Sequence, residues 1–509
     1  MRSLLGRFHR PNARSQSERL FMLNNLGDGS TLSLDFTTGV LDPRLTFSRA
    51  SGGTYVGNDG FVYGVDFATS SSLAIGTGSK SVTLTATAGQ SRRYEIGQTV
   101  YIANGANNMS GAVTAYSAAT QVLTINATST SGSGSFTSWI VGNASARFDY
   151  DPTTLTPRGL LIEGSATNYM LQSTTLDPHN VSAMRTISTA SITDPEGTTN
   201  KARVIAADGS TGYHARHLAT TASTNTTLTI SIFAKKNGYK YLFLAEIGSG
   251  RSAVRFDLDD GTTSNSSGAG FVSAKATPHR NGWWRCSMVV NVTASTSYAW
   301  SYVGVPTTGA TLGTNGAQYT GTNTDTDGIY CYGFQVEAGP AATSYIATTS
   351  STVTRAVDSC VMTGTNFSSW FNATEGTLLA HAIRSRTSDI GRIASVNDNT
   401  ANESIELAAD ATGEFIVVDG GSTLANITPG TVTANTAFKI AGAYKLNDVQ
   451  AALGGTLGVA DTAVTMPTVD RLMIGQQAGA SPIYLNGTIA LLTYWPTRLT
   501  NAQLQSLTT

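Results

Sequence analysis

The chain has 509 residues, with 13% charged and 40% apolar side chains and a formal net charge of −1. That apolar fraction can fill hydrophobic cores, which excludes an intrinsically disordered composition, and a net charge near zero provides no global field for nucleic acid or an anionic membrane. The low charge and the abundant Ser, Thr and Gly favour β-sheets with uncharged outer faces, and the length predicts roughly three to four domains.

The N-terminal segment, residues 1–30, is a basic arm. Its first nineteen residues hold one acid, Glu18, and the arginines Arg2, Arg7, Arg10, Arg14 and Arg19. A solvated chain end is the favoured interpretation of such an arm in isolation, and docking on an acidic partner or nucleic acid is the alternative. The apolar run at its start is shorter than the ~7 residues of a secretion-signal core. No window approaches the ~18 apolar residues of a membrane helix, so we expect no membrane insertion.

A β pattern that is split in two follows, in residues 31–64 and 146–164. In LSLDF, the alternate residues Leu32, Leu34 and Phe36 share one face of the predicted strand. The strand patterns FDYDP and GLLIE appear only after the interruption. The two pieces therefore predict one discontinuous β unit.

The interrupting segment, residues 65–145, has a strand pattern of its own. SVTLTATA alternates Val82, Leu84 and Ala86 with polar residues, and QTVYIA, GAVTAY and QVLTINAT follow between Gly, Asn and Ser turns. Several short strands with turns between them predict a small barrel or sandwich. An inserted domain needs its two ends close together, as we expect for this one.

Two longer β patterns complete the chain. Residues 165–358 include TLTISIFAK, KYLFLAEI and GWWRCSMVVNVT, whose strand lengths suit a two-sheet jelly roll. Residues 359–509 include GTLLAHAIR, EFIVVDG and GTIALLTYW and predict a further sandwich. The predicted fold class is all-β, with several β-sandwich or jelly-roll domains in series and one small inserted barrel-like domain.

The last stretch, LTNAQLQSLT, is the best candidate for a short helix. Leu499, Leu504 and Leu507 lie near one face at helical spacing, and Thr500 or Asn501 can serve as the N-cap. No other segment has a long helical period, so this element is expected to be the exception in a β protein.

Three stretches resemble a module of tailed-bacteriophage virion proteins: TFSRASGGTYVGNDG, ARFDYDP and GLLIEGSATNYM. The matching positions are Phe47, Arg49, Ala50, Ser51, Thr54, Tyr55, Val56, Gly60, 147–152, 159–163, Thr167 and Asn168. The spacing agrees apart from the insertion 65–145, which the common form lacks. NGWWRCSM and YGFQVEAGPAATSYIATTSSTVTRAVDS are similar to the carbohydrate-binding-module-like jelly roll that follows the module. LNGTIALLTYWPTRLTNAQLQSLT is similar to the end of a concanavalin or laminin-G-like sandwich.

The resemblance covers most of residues 31–509 and implies a tail-fibre, tailspike or other virion surface protein. Such a protein is made in the bacterial cytoplasm, acts on the particle and is expected to be a homotrimer. The arginines of the arm, Arg2, Arg7, Arg10 and Arg14, would attach it to other virion proteins of the tail or portal region. Its outer domains would bind host cell-surface polysaccharide.

The aromatic residues of the jelly roll are the candidate glycan contacts, because a sugar ring stacks on an exposed aromatic face. Trp283 and Trp284 are adjacent, so they point to opposite faces of a strand, one to the core and one outward. Tyr298 and Trp300 share a strand face with Tyr302, as a binding strip or as a core layer. A further candidate is Tyr213, which lies near His214 and His217 in a predicted loop.

Two groups of carboxylates are candidate metal or catalytic ligands. In RFDYDP, Asp149 and Asp151 lie on one side of a strand, but a turn at Asp151 and a pairing of Arg147 or Arg49 with a buried carboxylate form the favoured interpretation. In TNTDTDG, the alternating Asn323, Asp325 and Asp327 resemble half of a calcium loop, without its distal glutamate. A solvated turn is therefore the favoured interpretation, and a calcium ion is the alternative ligand.

No catalytic motif is present: HExxH, GxSxG and CxxC do not occur in the sequence. The cysteines Cys286, Cys331 and Cys360 have no metal-ligand spacing and are predicted to be buried. The protein is therefore predicted to be a non-enzyme that recognises glycan. The alternatives are a structural collar, head-fibre or decoration protein and a polysaccharide depolymerase, although the repeating rungs of a β-helix are not found.

Overall fold

A computed structural model describes residues 29–64, 66–69, 71–84, 96–97, 99–104, 107–117, 120–137, 139–143, 146–176, 180–185, 188–223, 227–248, 251–292, 295–313, 316–386, 388–479 and 482–509. The chain divides into two compact units. Unit 1 consists of Met1–Thr46, Pro157–Ile162 and Cys360–Thr509, and unit 2 consists of Phe47–Thr156 and Glu163–Ser359.

Strands make up most of the described chain. The strands up to the end of the inserted segment are β1 (Leu32–Asp35), β2 (Thr46–Ser48), β3 (Thr54–Val56), β4 (Val62–Gly64), β5 (Asp66–Thr69), β6 (Leu73–Ala74), β7 (Gly78–Thr83), β8 (Thr99–Asn104), β9 (Asn107–Ser117), β10 (Val122–Ser131), β11 (Ser135–Phe136) and β12 (Trp139–Asn143). Next come β13 (Arg147–Tyr150), β14 (Pro157–Ile162), β15 (Ala166–Asn168), β16 (Asn180–Ser182), β17 (Ser188–Thr189), β18 (Arg203–Ala206), β19 (Thr211–Ser223), β20 (Thr227–Asn237) and β21 (Tyr241–Glu246).

The following strands are β22 (Ala253–Asp257), β23 (Thr263–Ser267), β24 (Phe271–Pro278), β25 (Trp284–Asn291), β26 (Ser295–Val305), β27 (Thr311–Leu312), β28 (Ala317–Thr320), β29 (Gly328–Ala338), β30 (Val353–Arg355) and β31 (Ser359–Thr363). The last strands are β32 (Glu375–Arg384), β33 (Gly391–Asn397), β34 (Ser404–Ala409), β35 (Thr412–Asp419), β36 (Ser422–Thr431), β37 (Ala437–Lys445), β38 (Gln450–Leu453), β39 (Thr456–Leu457), β40 (Arg471–Ile474) and β41 (Gly487–Trp495). The helices are α1 (Thr365–Ser368) and α2 (Asn501–Thr508), with 3₁₀ turns at Phe36–Thr38 and Arg280–Gly282. The predicted all-β class is confirmed.

Unit 1 is a sandwich of two antiparallel sheets. One sheet has the order β14-β41-β32-β37-β38-β39, with β1 also paired to β41, and the other has the order β31-β40-β33-β34-β35-β36. The apolar residues of alternate positions face each other between the sheets. At Gly442 a Cβ would lie 2.1 Å from the Phe415 ring, so only glycine lets this ring pack against the opposite backbone.

Helix α2 covers the outer face of the first sheet of unit 1. Leu504 and Leu507 are buried in one cluster with Leu499 and with residues of the sheet. The Thr500 side chain accepts a hydrogen bond from the Gln503 backbone N–H, and the Gln503 side chain accepts one from the Thr500 backbone N–H, so both groups form a capping box. The predicted helix, its apolar face and its cap at Thr500 are confirmed.

The predicted discontinuous β unit is divided between the two units of the structure. Residues 31–46 belong to unit 1 because β1 pairs with β41, where Leu32 lies opposite Tyr494. Strand β14 pairs with the same strand, with Leu160 opposite Ile489. The remaining pieces, within 47–64 and 146–156, belong to unit 2. Leu32, Leu34 and Phe36 are all buried, as their alternation predicted.

The inserted segment folds around a core of its own within unit 2. Its strands pair in the order β5-β12-β8-β9-β10-β7, and the alternate residues of one face form a separate cluster that includes Val82, Ile102 and Leu123. Leu73, Ile75 and Phe136 of the same segment pack against this cluster. Its first strand, β5, pairs with its last strand, β12, so its ends are adjacent.

The larger part of unit 2 is a two-sheet jelly roll. We call the sheet with the order β23-β22-β21-β26-β19-β28-β27, with β16 on β19, the front sheet. The back sheet has the order β17-β18-β29-β20-β25-β24. Tyr302 of the front sheet and Phe334 of the back sheet have ring centroids 5.4 Å apart, which identifies their side as the sandwich core.

Candidate functional site

Three residues of the phage-like motif and two later residues form a buried ion cluster in unit 2, which we call the arginine cluster: Arg49, Arg147, Glu163, Arg355 and Asp358. Arg147 lies 2.8 Å from Glu163 between Nη1 and Oε2, and it also pairs with Asp358. Arg49 Nη1 lies 3.0 Å from Asp358 Oδ1, and Arg355 Nε lies 3.6 Å from Glu163 Oε2. All five side chains are buried, so these contacts join four stretches that are distant in sequence.

Two members of the arginine cluster, Glu163 and Arg147, are held in their charged forms by their neighbours. Burial alone would raise the pKa of the Glu163 carboxyl, but the charges of Arg355 and Arg147 and hydrogen bonds from Ser344 bring it down to about 2. Burial opposes the positive charge of Arg147, yet the neighbouring Asp358 and Glu163 raise the pKa of its guanidinium above the ordinary value. The predicted pairing of Arg147 or Arg49 with an internal carboxylate is thus observed for both arginines.

The other carboxylates of the motif cap backbone amides. Asp149 Oδ1 accepts a hydrogen bond from the Val56 N–H at 2.7 Å. Asp151 Oδ1 accepts from the backbone N–H groups of Thr153 at 2.9 Å and Thr154 at 2.8 Å, so it opens the predicted turn. These contacts are structural, and they do not bring the two carboxylates to a common ligand position.

Two of the predicted glycan contacts are core residues. Trp283 is 1% exposed, and its indole N–H donates to the Thr193 carbonyl oxygen at 2.9 Å. Trp300 is 0% exposed and lies with Tyr302 in the sandwich core. Alternation placed Trp300 and Tyr302 on one face of β26, and the structure shows that this face packs in the core between the two sheets. Trp283 is buried in a separate cluster with Phe233, Tyr332 and Tyr345. The assignment of Trp283 and Trp300 to a sugar platform is therefore corrected.

Trp284 is half-buried and engaged by its own neighbours. The Trp284 ring packs against Gly261, where an added Cβ would lie 2.3 Å from the ring, and its N–H donates to the Leu258 carbonyl oxygen at 2.8 Å. The side chain of Tyr298 lies outside the described residues, although its backbone pairs with Thr220.

Tyr213 is the predicted platform residue that lies on the surface. It belongs to β19 rather than to a loop, and it is 37% exposed. Its ring lies over the turn at Gly313 and Gly316, where an added Cβ would be 3.1 Å from Cε2 and 3.0 Å from Cε1. Glycine at both positions therefore lets the ring lie against the turn while it remains partly exposed to solvent.

Tyr213 lies on the outer face of the front sheet, near one edge of that sheet. His217 follows it by four residues on the same strand and faces the same side. Strands β21 and β22 place Tyr241 and Arg255 on the same face by their register, but Phe243 and Val303, which lie between them and Tyr213, are buried. We call this set of half-buried or exposed residues the outer face; it comprises Tyr213, His217, Tyr241, Arg255 and Ser264.

The two histidines near Tyr213 face opposite sides of β19. Burial lowers the pKa of His217, which favours its neutral ring, and its Nδ1 atom is buried. His214 points inward and is buried, with its ring centroid 4.2 Å from that of Tyr319. The predicted loop at 213–217 is thus a strand, which assigns one histidine to the surface and one to the core.

The half calcium loop is engaged by an arginine. Arg185 Nε lies 2.8 Å from Asp325 Oδ1, and Arg185 Nη1 donates to both oxygens of Asn323. Ser188 donates to the second Asp325 oxygen at 3.1 Å. A guanidinium from a distant segment therefore contacts oxygens of Asp325 and Asn323 that the calcium assignment of Asp325 and Asp327 would use, whereas Asp327 takes no part in these contacts. In the described part of the chain, no three His, Cys, Asp or Glu side chains are grouped to hold a metal.

Three further predictions concern the cysteines, the basic arm and membrane-spanning helices. The cysteines Cys286, Cys331 and Cys360 are buried free thiols, as predicted. The arm residues Arg2, Arg7, Arg10 and Arg14 lie outside the described residues. Within the described ranges, no helix has both the length and the apolar character needed to cross a membrane.

The sequence signal for the outer face was present but not used. In KYLFLAEI and SAVRFDLD, alternation places Tyr241 and Arg255 opposite the apolar core positions Leu242 and Phe256. Tryptophan drew attention because of its size, whereas the exposed rings are tyrosines. The polar and aromatic residues at the outward positions of these two strands include both Tyr241 and Arg255.

Comparisons with known proteins give only distant likenesses. No family model and no curated protein sequence matches the chain. A solved carbohydrate-binding module (CBM40) of the Ruminococcus gnavus IT-sialidase, bound to α2,3-sialyllactose, has 14% identity and a TM-score of 0.26 over 28% of this chain and 88% of its own.

Two further solved structures match at a similar level. Domain 4 of an extracellular GH43 arabinanase from Geobacillus stearothermophilus, in complex with arabinotriose, has 10% identity and a TM-score of 0.25 over 34% of this chain and 84% of its own. The receptor-binding domain of botulinum neurotoxin type G has 7% identity and a TM-score of 0.23 over 29% and 38% of the two chains. Scores this low carry nothing about the ligand of this chain.

Proposed function

We propose that this chain is a non-enzymatic virion surface protein of a tailed bacteriophage, of the tail-fibre or tailspike type, whose jelly roll binds a host cell-surface glycan. The observation that carries the proposal is the Tyr213 ring, which lies on a glycine turn and remains 37% exposed. The CH face of a sugar ring stacks on such an aromatic surface. His217 and the hydroxyl groups of the outer face can then bind sugar hydroxyls.

The arginine cluster supports the phage-type resemblance on physical grounds. Arg49, Arg147 and Glu163 are motif residues and also members of the cluster, so the motif corresponds to one buried arrangement that unit 2 needs in order to fold. These motif residues therefore share one structural role, and the contacts between them explain their spacing in the sequence.

The remaining parts of the proposal concern assembly. The basic arm, residues 1–30, attaches the chain to other virion proteins, and the chain forms a homotrimer on the particle. Single shallow glycan sites bind weakly, and three sites displayed together raise the effective affinity. Light scattering measures the oligomeric state, and gold-labelled antibodies locate the chain on virions. A glycan-inert monomer contradicts the proposal.

The test uses the outer face directly. We expect Tyr213→Ala to lose glycan-array binding at least tenfold, since aromatic platforms supply a large share of contact area, whereas Tyr213→Phe retains the ring and most of the binding. Val272→Ala is the matched control, because Val272 is 49% exposed on the back sheet, at β24. Equal binding by Tyr213→Ala and the intact protein would exclude this face.

The burial of Trp283 and Trp300 favours a second candidate, a structural collar, head-fibre or decoration protein without receptor binding. With two of the predicted platforms inside the core, the chain has fewer exposed rings for a sugar. This candidate predicts no glycan binding, no competition with phage adsorption, and gold labelling away from the tail tip.

A further inference from the structure

Tyr213 belongs to a row of exposed side chains on the edge strands of the front sheet. On β28, Gln318 lies directly opposite Tyr213, and on β27, Thr311 lies directly opposite Gln318. Residues that are directly opposite each other in antiparallel strands share one face, with Cβ atoms about 5 Å apart. All three side chains are exposed. We call this row the tyrosine strip: Tyr213, Gln318 and Thr311.

The tyrosine strip is open toward the edge of the sheet and closed toward its centre. Thr211 and Thr320, the next outward pair of β19 and β28, are exposed, and their hydroxyl oxygens are 2.9 Å apart. In the opposite direction along β19, the next outward residue is Ala215, which is buried, and Val303 of β26 is buried as well. A ligand on Tyr213 can therefore extend toward β27 but not across the middle of the front sheet.

Gln318 and Thr311 supply the hydrogen-bonding groups of the tyrosine strip. The Gln318 amide has two N–H donors and an acceptor oxygen, and the Thr311 hydroxyl both donates and accepts. Within the described part of the chain, neither side chain makes a hydrogen bond of its own. Sugar hydroxyls also donate and accept, so they match these two side chains beside the Tyr213 ring.

The surroundings of the tyrosine strip favour an uncharged ligand. Residues 306–320, which include β27 and β28, contain no Lys, Arg, His, Asp or Glu. Asp208, three residues before Thr211, is an acid whose carboxylate accepts a hydrogen bond from the Ser210 backbone N–H at 2.9 Å. An acidic sugar would lose hydration here without a cation from this segment to offset the cost. A neutral sugar does not incur that cost.

We propose that the tyrosine strip binds a neutral oligosaccharide, with one sugar ring stacked on Tyr213 while Gln318 and Thr311 form hydrogen bonds to hydroxyl groups of that ring and of its neighbour. This inference rests on the glycan-binding function proposed above and names the ligand class and two specificity-determining residues. Strands β19 and β27 are separated by β28. Two strand spacings correspond to about 10 Å, so a ligand that contacts both Tyr213 and Thr311 is longer than one sugar ring.

The experiment starts from a glycan array that holds neutral oligosaccharides and oligosaccharides with carboxylate, sulfate or phosphate groups. We expect the member that the intact protein binds most tightly to be neutral. Calorimetry then measures the Kd of this oligosaccharide for each variant. Gln318→Met and Thr311→Val should each weaken binding about three- to tenfold, as expected for the loss of neutral hydrogen bonds. Both substitutions keep the size of the side chain, so the contact area changes little.

Two controls separate binding from folding. Ser267→Ala is the matched control, because Ser267 is an exposed hydroxyl residue of β23, at the opposite edge of the same sheet. It should leave the Kd unchanged. Thermal melts of the three variants should coincide with that of the intact protein, because all three side chains are exposed.

Each outcome has a distinct meaning. If the most tightly bound oligosaccharide is charged, the neutral-ligand inference is overturned and the proposed function stands. An unchanged Kd for either Gln318→Met or Thr311→Val, together with weaker binding by Tyr213→Ala, also overturns the inference, because the ligand then extends from Tyr213 in another direction. An equal loss in Ser267→Ala overturns the assignment of the strip. A blank glycan array overturns the proposed function and this inference with it.

Discussion

At the scale of single residues, the arginine cluster is the feature with the largest energetic consequence. Three guanidinium groups and two carboxylates are removed from water together, which is unfavourable unless their mutual contacts are retained. The Arg147 side chain touches both carboxylates, Glu163 and Asp358. Loss of the Arg147 side chain would leave both buried carboxylates with less opposite charge to offset their removal from water.

We predict that Arg147→Met destabilises unit 2 by about 3–5 kcal/mol, the usual effect of breaking a buried pair by removing one partner. Arg44→Ala is the matched control, because Arg44 pairs with Asp42 at 2.8 Å while its side chain remains 33% exposed; its effect should stay below about 1 kcal/mol. Urea denaturation measures the free energy of unfolding of both variants. Equal effects of the two substitutions would contradict the structural role of the cluster.

The same cluster predicts resistance to acid. The pKa of Glu163 is about 2 in the folded chain and 4.5 ordinarily, so its ionisation stabilises the fold above about pH 4.5. That contribution, on the order of 3 kcal/mol, disappears as the pH falls from about 4.5 through about 2. Urea midpoints between pH 2 and 7 should show this loss in the intact protein and its absence in Glu163→Gln.

Glu337 is the control with the opposite sign. Burial raises the pKa of this carboxyl above its ordinary value. The contribution of Glu337 to stability is therefore fully present below the pKa that the carboxyl has in the unfolded chain. It is lost as the pH rises through the pKa that the carboxyl has in the folded chain. Glu337→Gln should thus gain stability relative to the intact protein as the pH rises. Parallel pH curves for Glu163→Gln, Glu337→Gln and the intact protein would contradict both assignments.

At the scale of elements, the inserted segment behaves as an independent β element. Strands β5 and β12 are paired antiparallel, with Asp66 opposite Gly142 and Thr69 opposite Trp139. The entry and exit of the insertion are therefore one strand spacing apart, about 5 Å. The apolar cluster of this segment contains residues of the segment alone.

We predict that residues 66–143 can be replaced by a short Gly-Ser linker without loss of the jelly roll. The junction is close enough to be closed without strain, and the core between the front and back sheets is untouched. Thermal unfolding followed by circular dichroism should give a midpoint within a few degrees of the intact chain, and Tyr213-dependent glycan binding should persist. A loss of the cooperative transition would show that the insertion supports its host.

At the scale of the whole molecule, the chain builds its two units from interleaved segments. Unit 1 takes β1 from the start of the chain and β14 from the middle, and both pair with β41 near the end. Without them, β41 would be a long apolar edge strand, which favours aggregation. The C-terminal sandwich is therefore complete only in the context of the longer chain.

We predict that residues 360–509 alone aggregate or melt at a lower temperature than unit 1 in the intact chain. Leu160 and Ile162 of β14 would be missing from the core, and the edge of β41 would be unpaired. A matched protein that joins residues 29–46, 157–162 and 360–509 through flexible linkers should recover the stability. Light scattering and thermal melts distinguish the two, and equal melting temperatures would contradict the prediction.

The sequence by itself determined the features that depend on local pattern. Alternation identified the strands and the all-β class, the spacing of leucines and the Thr500 cap identified helix α2, and turn chemistry identified the role of Asp151. These features follow from neighbouring residues, because backbone geometry and capping act over a few positions.

Only the tertiary structure decided which faces are covered and which distant charges meet. Alternation gives a strand two faces but does not state which one a second sheet covers, so Trp300 became core and Tyr213 surface. The pairing of Arg185 with Asp325, and of β1 and β14 with β41, joins segments more than a hundred residues apart. Such contacts depend on the packing of the folded chain, which no local pattern encodes.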